Sequence, residues 1–132
     1  LDITPDLRDA ALLIRDSIDR FATAKHWARQ DYHLRMVVNV VWINFQVGVY
    51  AKEYDSPVAD ENTRYDEICD FFEEDLKDDP GLLQATYIAV LPFRDLFSSR
   101  RPSLGENHAQ IDDALLNPGW VEPRPVHHVS MG

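Results

Sequence analysis

Two apolar stripes at helical spacing organise the chain. Leu7, Ala11, Ile14, Ile18 and Phe21 recur at steps of four, three, four and three, and Tyr65, Ile68, Cys69, Phe72 and Leu76 repeat such a stripe further on. The first stripe predicts a helix from about Pro5 to Ala24. Thr4 can cap it, Pro5 suits its first position, and Asp6 and Asp9 sit near the positive end of its dipole. The second predicts a helix with acids on every face that the stripe leaves free.

The stretch from Trp27 to Tyr54 is the most hydrophobic, and its pattern serves two structures. Its many β-branched residues and the alternation Phe45-Gln46-Val47-Gly48-Val49 favour strand. Leu34, Val38, Val41, Phe45 and Val49 keep helical spacing, and no turn signal falls between Leu34 and Tyr54. A run of some twenty residues exceeds a typical strand, so a central, nearly buried helix is the expectation, with strand as the alternative. Asn39, Asn44 and Gln46 break the run before it supplies the ~18 apolar residues that a membrane span needs.

Asp79-Pro80 restarts the chain as a cap and first helical position, and Leu83, Tyr87, Ile88 and Leu91 continue a helical pattern until Pro92. Phe93, Leu96 and Phe97 add another apolar turn. Beyond Ser98 the chain is punctuated by Pro102, Pro118, Pro123 and Pro125, and only Asn107 to Leu116 looks helical. The expected fold is all-α: a compact bundle of four to five helices over residues 1–98, followed by a Pro-rich arm over 99–132 with one short helix.

Charge changes this picture more than composition does. The 132 residues carry 13 Lys+Arg against 23 Asp+Glu, a net charge of −10, with 45% hydrophobic residues. That is enough for one domain with a true core, and the acidic balance argues against a binder of nucleic-acid phosphates. The excess is local. Glu53, Asp55, Asp60, Glu61, Asp66, Glu67, Asp70, Glu73, Glu74, Asp75, Asp78 and Asp79 face only Arg64 and Lys77, so this segment carries the whole −10 and the remaining chain is neutral.

Catalytic and metal motifs are sparse. Cys69, the single cysteine, lies on the stripe of the acidic helix, where carboxylates oppose a thiolate; a lone cysteine also suits a reducing compartment. No Gly-x-Ser-x-Gly, phosphate-binding loop or dinucleotide fingerprint occurs. His26 and His33 are seven apart, His127-His128 ends the arm, and no Glu-x-x-His pair accompanies them. Asp66/Asp70 and Glu67/Asp70 share helical faces, as they must in a helix this acidic. The expectation is a non-enzymatic, cofactor-free cytoplasmic protein whose acidic helix meets a basic protein partner. Tyr50, Tyr54 and Tyr65 bracket that segment as aromatic anchors.

Two further stretches carry a family likeness. Gly48-Val49-Tyr50-Ala51-Lys52-Glu53-Tyr54-Asp55 resembles a Gly-x-x-Ala-x-Lys-Glu-aromatic-acid signature of small bacterial immunity proteins, which neutralise type VI-secreted, NAD-consuming toxins of the ADP-ribosyltransferase-like class. Asp79-Pro80-Gly81-Leu82-Leu83-Gln84-Ala85-Thr86-Tyr87 is similar to the Asp-Pro-x-Leu…Ala…Tyr stretch that follows in that family, and the opening helix also fits. Here some two dozen residues, including the acidic helix, separate the two stretches, and the arm is additional. The resemblance implies an all-helical antitoxin that occludes a cognate toxin. On this reading Asp66, Asp70, Glu73 and Glu74 pair with toxin Lys or Arg, while Tyr50, Glu53, Tyr54 and Asp55 contact the cleft rim. A helical adaptor or regulator binding another basic protein is the alternative, followed by a small metal-binding or enzymatic helical protein.

Overall fold

The computed structural model describes residues 3–56, 59–98 and 104–123, and it replaces the expected all-α bundle with an α/β architecture. Its order is α1 (Pro5–Ala24), β1 (Tyr32–Asn39), β2 (Asn44–Ala51), α2 (Glu61–Asp75), α3 (Pro80–Gln84), β3 (Thr86–Pro92), α4 (Asp95–Ser98), β4 (His108–Gln110) and α5 (Asp113–Leu116). The strands form one mixed sheet in the order β3-β2-β1-β4.

Helix α1 forms as its pattern predicts. Thr4 Oγ1 accepts a hydrogen bond from the Leu7 amide at 3.2 Å, and Ala11, Ile14, Ile18 and Phe21 are buried. Its end is less ordinary. His26 adopts a left-handed backbone (φ 63°), and the Trp27 amide reaches back to the Ala22 carbonyl at 2.9 Å. That six-to-one bond is the closing geometry usually given to glycine.

The stretch from Leu34 to Tyr54 is a hairpin rather than a helix. β1 and β2 pair antiparallel from Tyr32↔Ala51 to Asn39↔Asn44. A spacing of four satisfies a period of two as well as a period of 3.6, so Leu34 and Val38, or Phe45 and Val49, point inward in either structure. Val41 separates the two readings: it belongs to the helical stripe yet is 56% exposed at the hairpin tip. The turn needs neither glycine nor proline. Asn39 Oδ1 accepts from the amides of Val41 (3.0 Å) and Trp42 (2.9 Å), and Asn44 Nδ2 donates to the Trp42 carbonyl (2.8 Å).

The second correction concerns Thr86 to Pro92. The helix begun at Pro80 is only the five-residue α3, and the chain then runs as β3 parallel to β2, with Phe45↔Thr86 through Ala51↔Pro92 in register. Parallel neighbours require a long crossover, and the acidic α2 with α3 supplies it. The helix that carries the charge is therefore built into a β-α-β unit. Of the stretch 99–132, residues 104–123 are described. β4 pairs with β1 at Val37–Asn39, Ile111 and Leu116 are buried, and the helix within Asn107 to Leu116 is confined to α5.

Leu34, Met36, Val38, Phe45, Val47, Val49, Ile88 and Val90 face a core completed by α1 and by Ile68 and Phe72 of α2. The reverse side of the sheet carries the alternate residues, including Arg35, Gln46, Tyr50 and Tyr87. No helix among the described residues is long and apolar enough to cross a membrane.

Two buried tyrosines make the core sensitive to alkali. The Tyr32 hydroxyl donates to Asp19 Oδ1 at 2.8 Å, whereas the Tyr54 hydroxyl is buried without a hydrogen-bond partner among the described residues. Burial pushes both phenols far above their ordinary value near 10, helped at Tyr32 by the bond to Asp19 and at Tyr54 by the Glu53 carboxylate. The folded state holds these protons longer than the unfolded chain, so stability is intact below pH ~10 and declines as the pH rises beyond it. Tyr54→Phe removes one contribution and is expected to move alkaline unfolding, followed by circular dichroism, to higher pH. An unchanged midpoint would show that Tyr54 ionises as freely in the folded state as in the unfolded chain.

Candidate functional site: the acidic helix and the open sheet edge

Much of the acidic segment is engaged within the fold. Asp60 Oδ1 accepts from the Thr63 amide and Asp79 Oδ1 from the Leu82 amide, so each caps a helix. Lys25 lies 2.9 Å from Glu53 and 2.8 Å from Glu67, tying the end of α1 to the turn after β2 and to α2. Arg20 pairs with Asp75 at 2.7 Å and Lys77 with Glu74 at 3.0 Å, while Asp55 Oδ1 accepts from the Arg94 amide. Glu61, Asp66, Asp70, Glu73 and Asp78 remain, and among the described residues none of them forms an ion pair.

Three of these, Asp66, Asp70 and Glu73, occupy adjoining positions on the exposed side of α2. Beside them lies an open groove of about 460 Å³. Tyr65, Cys69, Phe72 and Glu73 of α2 form one wall, Pro80, Leu83 and Gln84 of α3 form another, and Thr86 and Ile88 of β3 contribute the strand edge. Burial pushes the Cys69 thiol upward, the hydrogen bond with Tyr65 pulls it the other way, and the Glu73, Asp66 and Asp70 carboxylates add to the upward push. At neutral pH the groove presents a thiol beside an anionic rim, which is a surface for recognition and a poor setting for a thiolate nucleophile.

The remaining sequence candidates are dispersed. Tyr50 lies on the reverse side of the sheet, its ring 5.5 Å from the Arg35 guanidinium, so it cannot share one surface with α2. Tyr54 is buried under the Arg64 guanidinium, and Glu53 accepts from Trp27 Nε1 at 3.1 Å in addition to its pairing with Lys25. Asp55 supports the start of the loop into α4. Of the residues expected to bind a partner, Asp66, Asp70, Glu73 and Glu74 are together on α2, with Glu74 turned to Lys77. His26 terminates α1 and His33 is buried against Trp120 at 4.2 Å between ring centres; His127 and His128 lie outside the described residues. Among the described residues no three His, Cys, Asp or Glu side chains gather as a metal site.

Two features lie outside what the sequence pattern predicts. The edge of β3 is one: Leu83, Tyr87, Ile88 and Leu91 fit a helical pattern, and the run from Tyr87 to Leu91 is apolar throughout, with no polar alternation to mark a strand. The hairpin tip is the other: Val41, Trp42 and Ile43 are 56%, 76% and 48% exposed. No protein-family model, curated protein or solved structure matches the chain.

Proposed function

We propose that this chain is an immunity (antitoxin) protein that captures a basic secreted toxin on the exposed face of α2 and occludes its substrate cleft. The observation that carries the reading is the set Asp66, Asp70 and Glu73: three neighbouring carboxylates without ion pairs among the described residues, beside an open groove, on a chain otherwise neutral. Unopposed carboxylates repel one another, and basic partner groups relieve that repulsion and are steered toward it. The helical fold implied by the family resemblance is not the fold of this chain, so segregated charge supports the proposal in its place. Tyr65, 44% exposed at the groove, is the aromatic side chain placed to anchor the contact. An adaptor for another basic protein would use the same surface.

The test is neutralisation. The product of the adjacent upstream reading frame, expressed alone in bacteria, is expected to arrest growth, and co-expression of this chain to restore it. Reversing Asp66, Asp70, Glu73 and Glu74 to Lys is expected to abolish the rescue, while circular dichroism shows a folded domain because all four side chains are exposed. Rescue that survives the reversal, or a neighbour without toxicity, overturns the proposal.

A further inference from the structure

The groove beside α2 is bordered by a strand edge whose hydrogen-bonding groups are open, and this deepens the reading above, on which it rests. β3 is the outermost strand and pairs only with β2 among the described residues. The Phe45 amide donates to the Ala85 carbonyl at 2.7 Å and the Phe93 amide to the Ala51 carbonyl at 3.2 Å. With Phe45↔Thr86 in parallel register, the peptide groups of Tyr87, Ala89 and Leu91 face β2. Those of Thr86, Ile88 and Val90 therefore face outward. Pro92 occupies the next outward position, where it lacks an amide and ends the edge, as proline does on edge strands.

We propose that β3 receives an extended, basic segment of the protein partner as an added strand. Every second side chain of such a segment would enter the groove among Tyr65, Cys69, Leu83 and Ile88, an apolar seat. Side chains two positions away, about 7 Å along the strand, would come level with the carboxylates of Asp66, Asp70 and Glu73. Main-chain bonds then supply pairing and the alternate pockets supply selectivity, as in other complexes formed by strand addition. Charge decides the occupant. A second copy of this chain would bring another anionic rim and a net −10 to the same edge, whereas Lys or Arg on the incoming strand answers the rim.

Amide hydrogen exchange followed by NMR tests this on the whole chain, with the acetylated and amidated peptide Lys-Thr-Val-Thr-Val-Thr-Lys as probe. At saturating peptide the Thr86, Ile88 and Val90 amides are expected to slow by about tenfold or more, while Tyr87, Ala89 and Leu91, already paired, stay unchanged. The peptide with Glu in place of Lys is expected to produce no protection. D66N/D70N/E73Q, which keeps side-chain shape on an exposed face, is expected to weaken binding by about tenfold or more, and Asp78→Asn to leave it unchanged. No binding up to millimolar peptide overturns strand addition. Charge-dependent binding without the alternating protection also overturns it, yet leaves the basic-partner reading standing. Alternating protection together with failed toxin neutralisation removes the antitoxin reading and keeps the groove. Protection of the same amides at high protein concentration without peptide would identify a second copy as the occupant and overturn the basic segment.

Discussion

Replacing Phe45 with alanine is expected to lower the unfolding free energy by about 3–5 kcal/mol, measured by urea denaturation with an unchanged slope. Phe45 is 1% exposed and is the second residue of β2, opposite Val38 on β1 and beside Thr86 on β3. Its side chain belongs to the buried core, and its backbone is held by pairing to a strand on each side, so small movements of neighbours cannot refill the space of the ring. Total stabilities of domains this size are about 5–15 kcal/mol, so the variant would be close to unfolding. Val41→Ala serves as the contrast. On one continuous helix Val41 and Phe45 would share a buried stripe and both truncations would be costly. On the hairpin, Val41 is exposed at the tip, and its truncation is expected to stay within about 0.5 kcal/mol. A loss of 2 kcal/mol or more at Val41, or less than 1 kcal/mol at Phe45, would overturn the hairpin arrangement.

That comparison also shows what the sequence could and could not disclose. Helices α1 and α2 were legible because each carries a long apolar stripe at helical spacing, α1 with Thr4-Pro5 at its start, and such stripes leave few alternative structures. The hairpin was not, because Leu34, Val38, Phe45 and Val49 obey both periods and the turn is made by two asparagines in place of Gly or Pro. β3 was hidden for a different reason. Its pairing with β2 is parallel and lies across the whole α2–α3 crossover, so no local signal marks it. The charge of the site was legible from counting, but its allocation was not. Arg20 meets Asp75 across 55 positions and Lys25 meets Glu67 across 42, and such distant pairs decide which carboxylates remain for a partner. The acidic helix forms where its stripe predicts it, and the fold leaves its Asp66, Asp70 and Glu73 without ion pairs among the described residues, beside an edge that periodicity conceals.

On the side of the sheet opposite β3, one side chain closes the part of β1 that β4 leaves uncovered, and its removal should be nearly as damaging as the loss of Phe45. β4 covers β1 only at Val37–Asn39, and the Ile111 amide bonds the Met36 carbonyl at 2.9 Å. Beyond that point Asn117, 5% exposed, acts as the next strand. Its Oδ1 accepts from the Leu34 amide at 2.8 Å and from Arg29 Nη2 at 2.9 Å, and its Nδ2 donates to the Leu34 carbonyl at 2.9 Å and to the Asp113 carbonyl at 3.0 Å. Only a carboxamide offers an acceptor and two donors in one plane. Asn117→Ala would leave the Leu34 amide and carbonyl buried without partners, and each such group costs about 1–3 kcal/mol, so a loss of about 2–6 kcal/mol in urea denaturation is expected. Asn117→Asp keeps the acceptor to Leu34 and Arg29 but sets a carboxylate against two carbonyls, and it should be no more stable than the alanine variant at pH 7. If Asn117→Asp proves as stable as the parent protein, the two donated bonds contribute nothing, and the closure of β1 by Asn117 is wrong. A confirmed loss would establish that one side of the sheet is sealed by a buried amide, whereas on the other side β3 pairs only with β2 among the described residues.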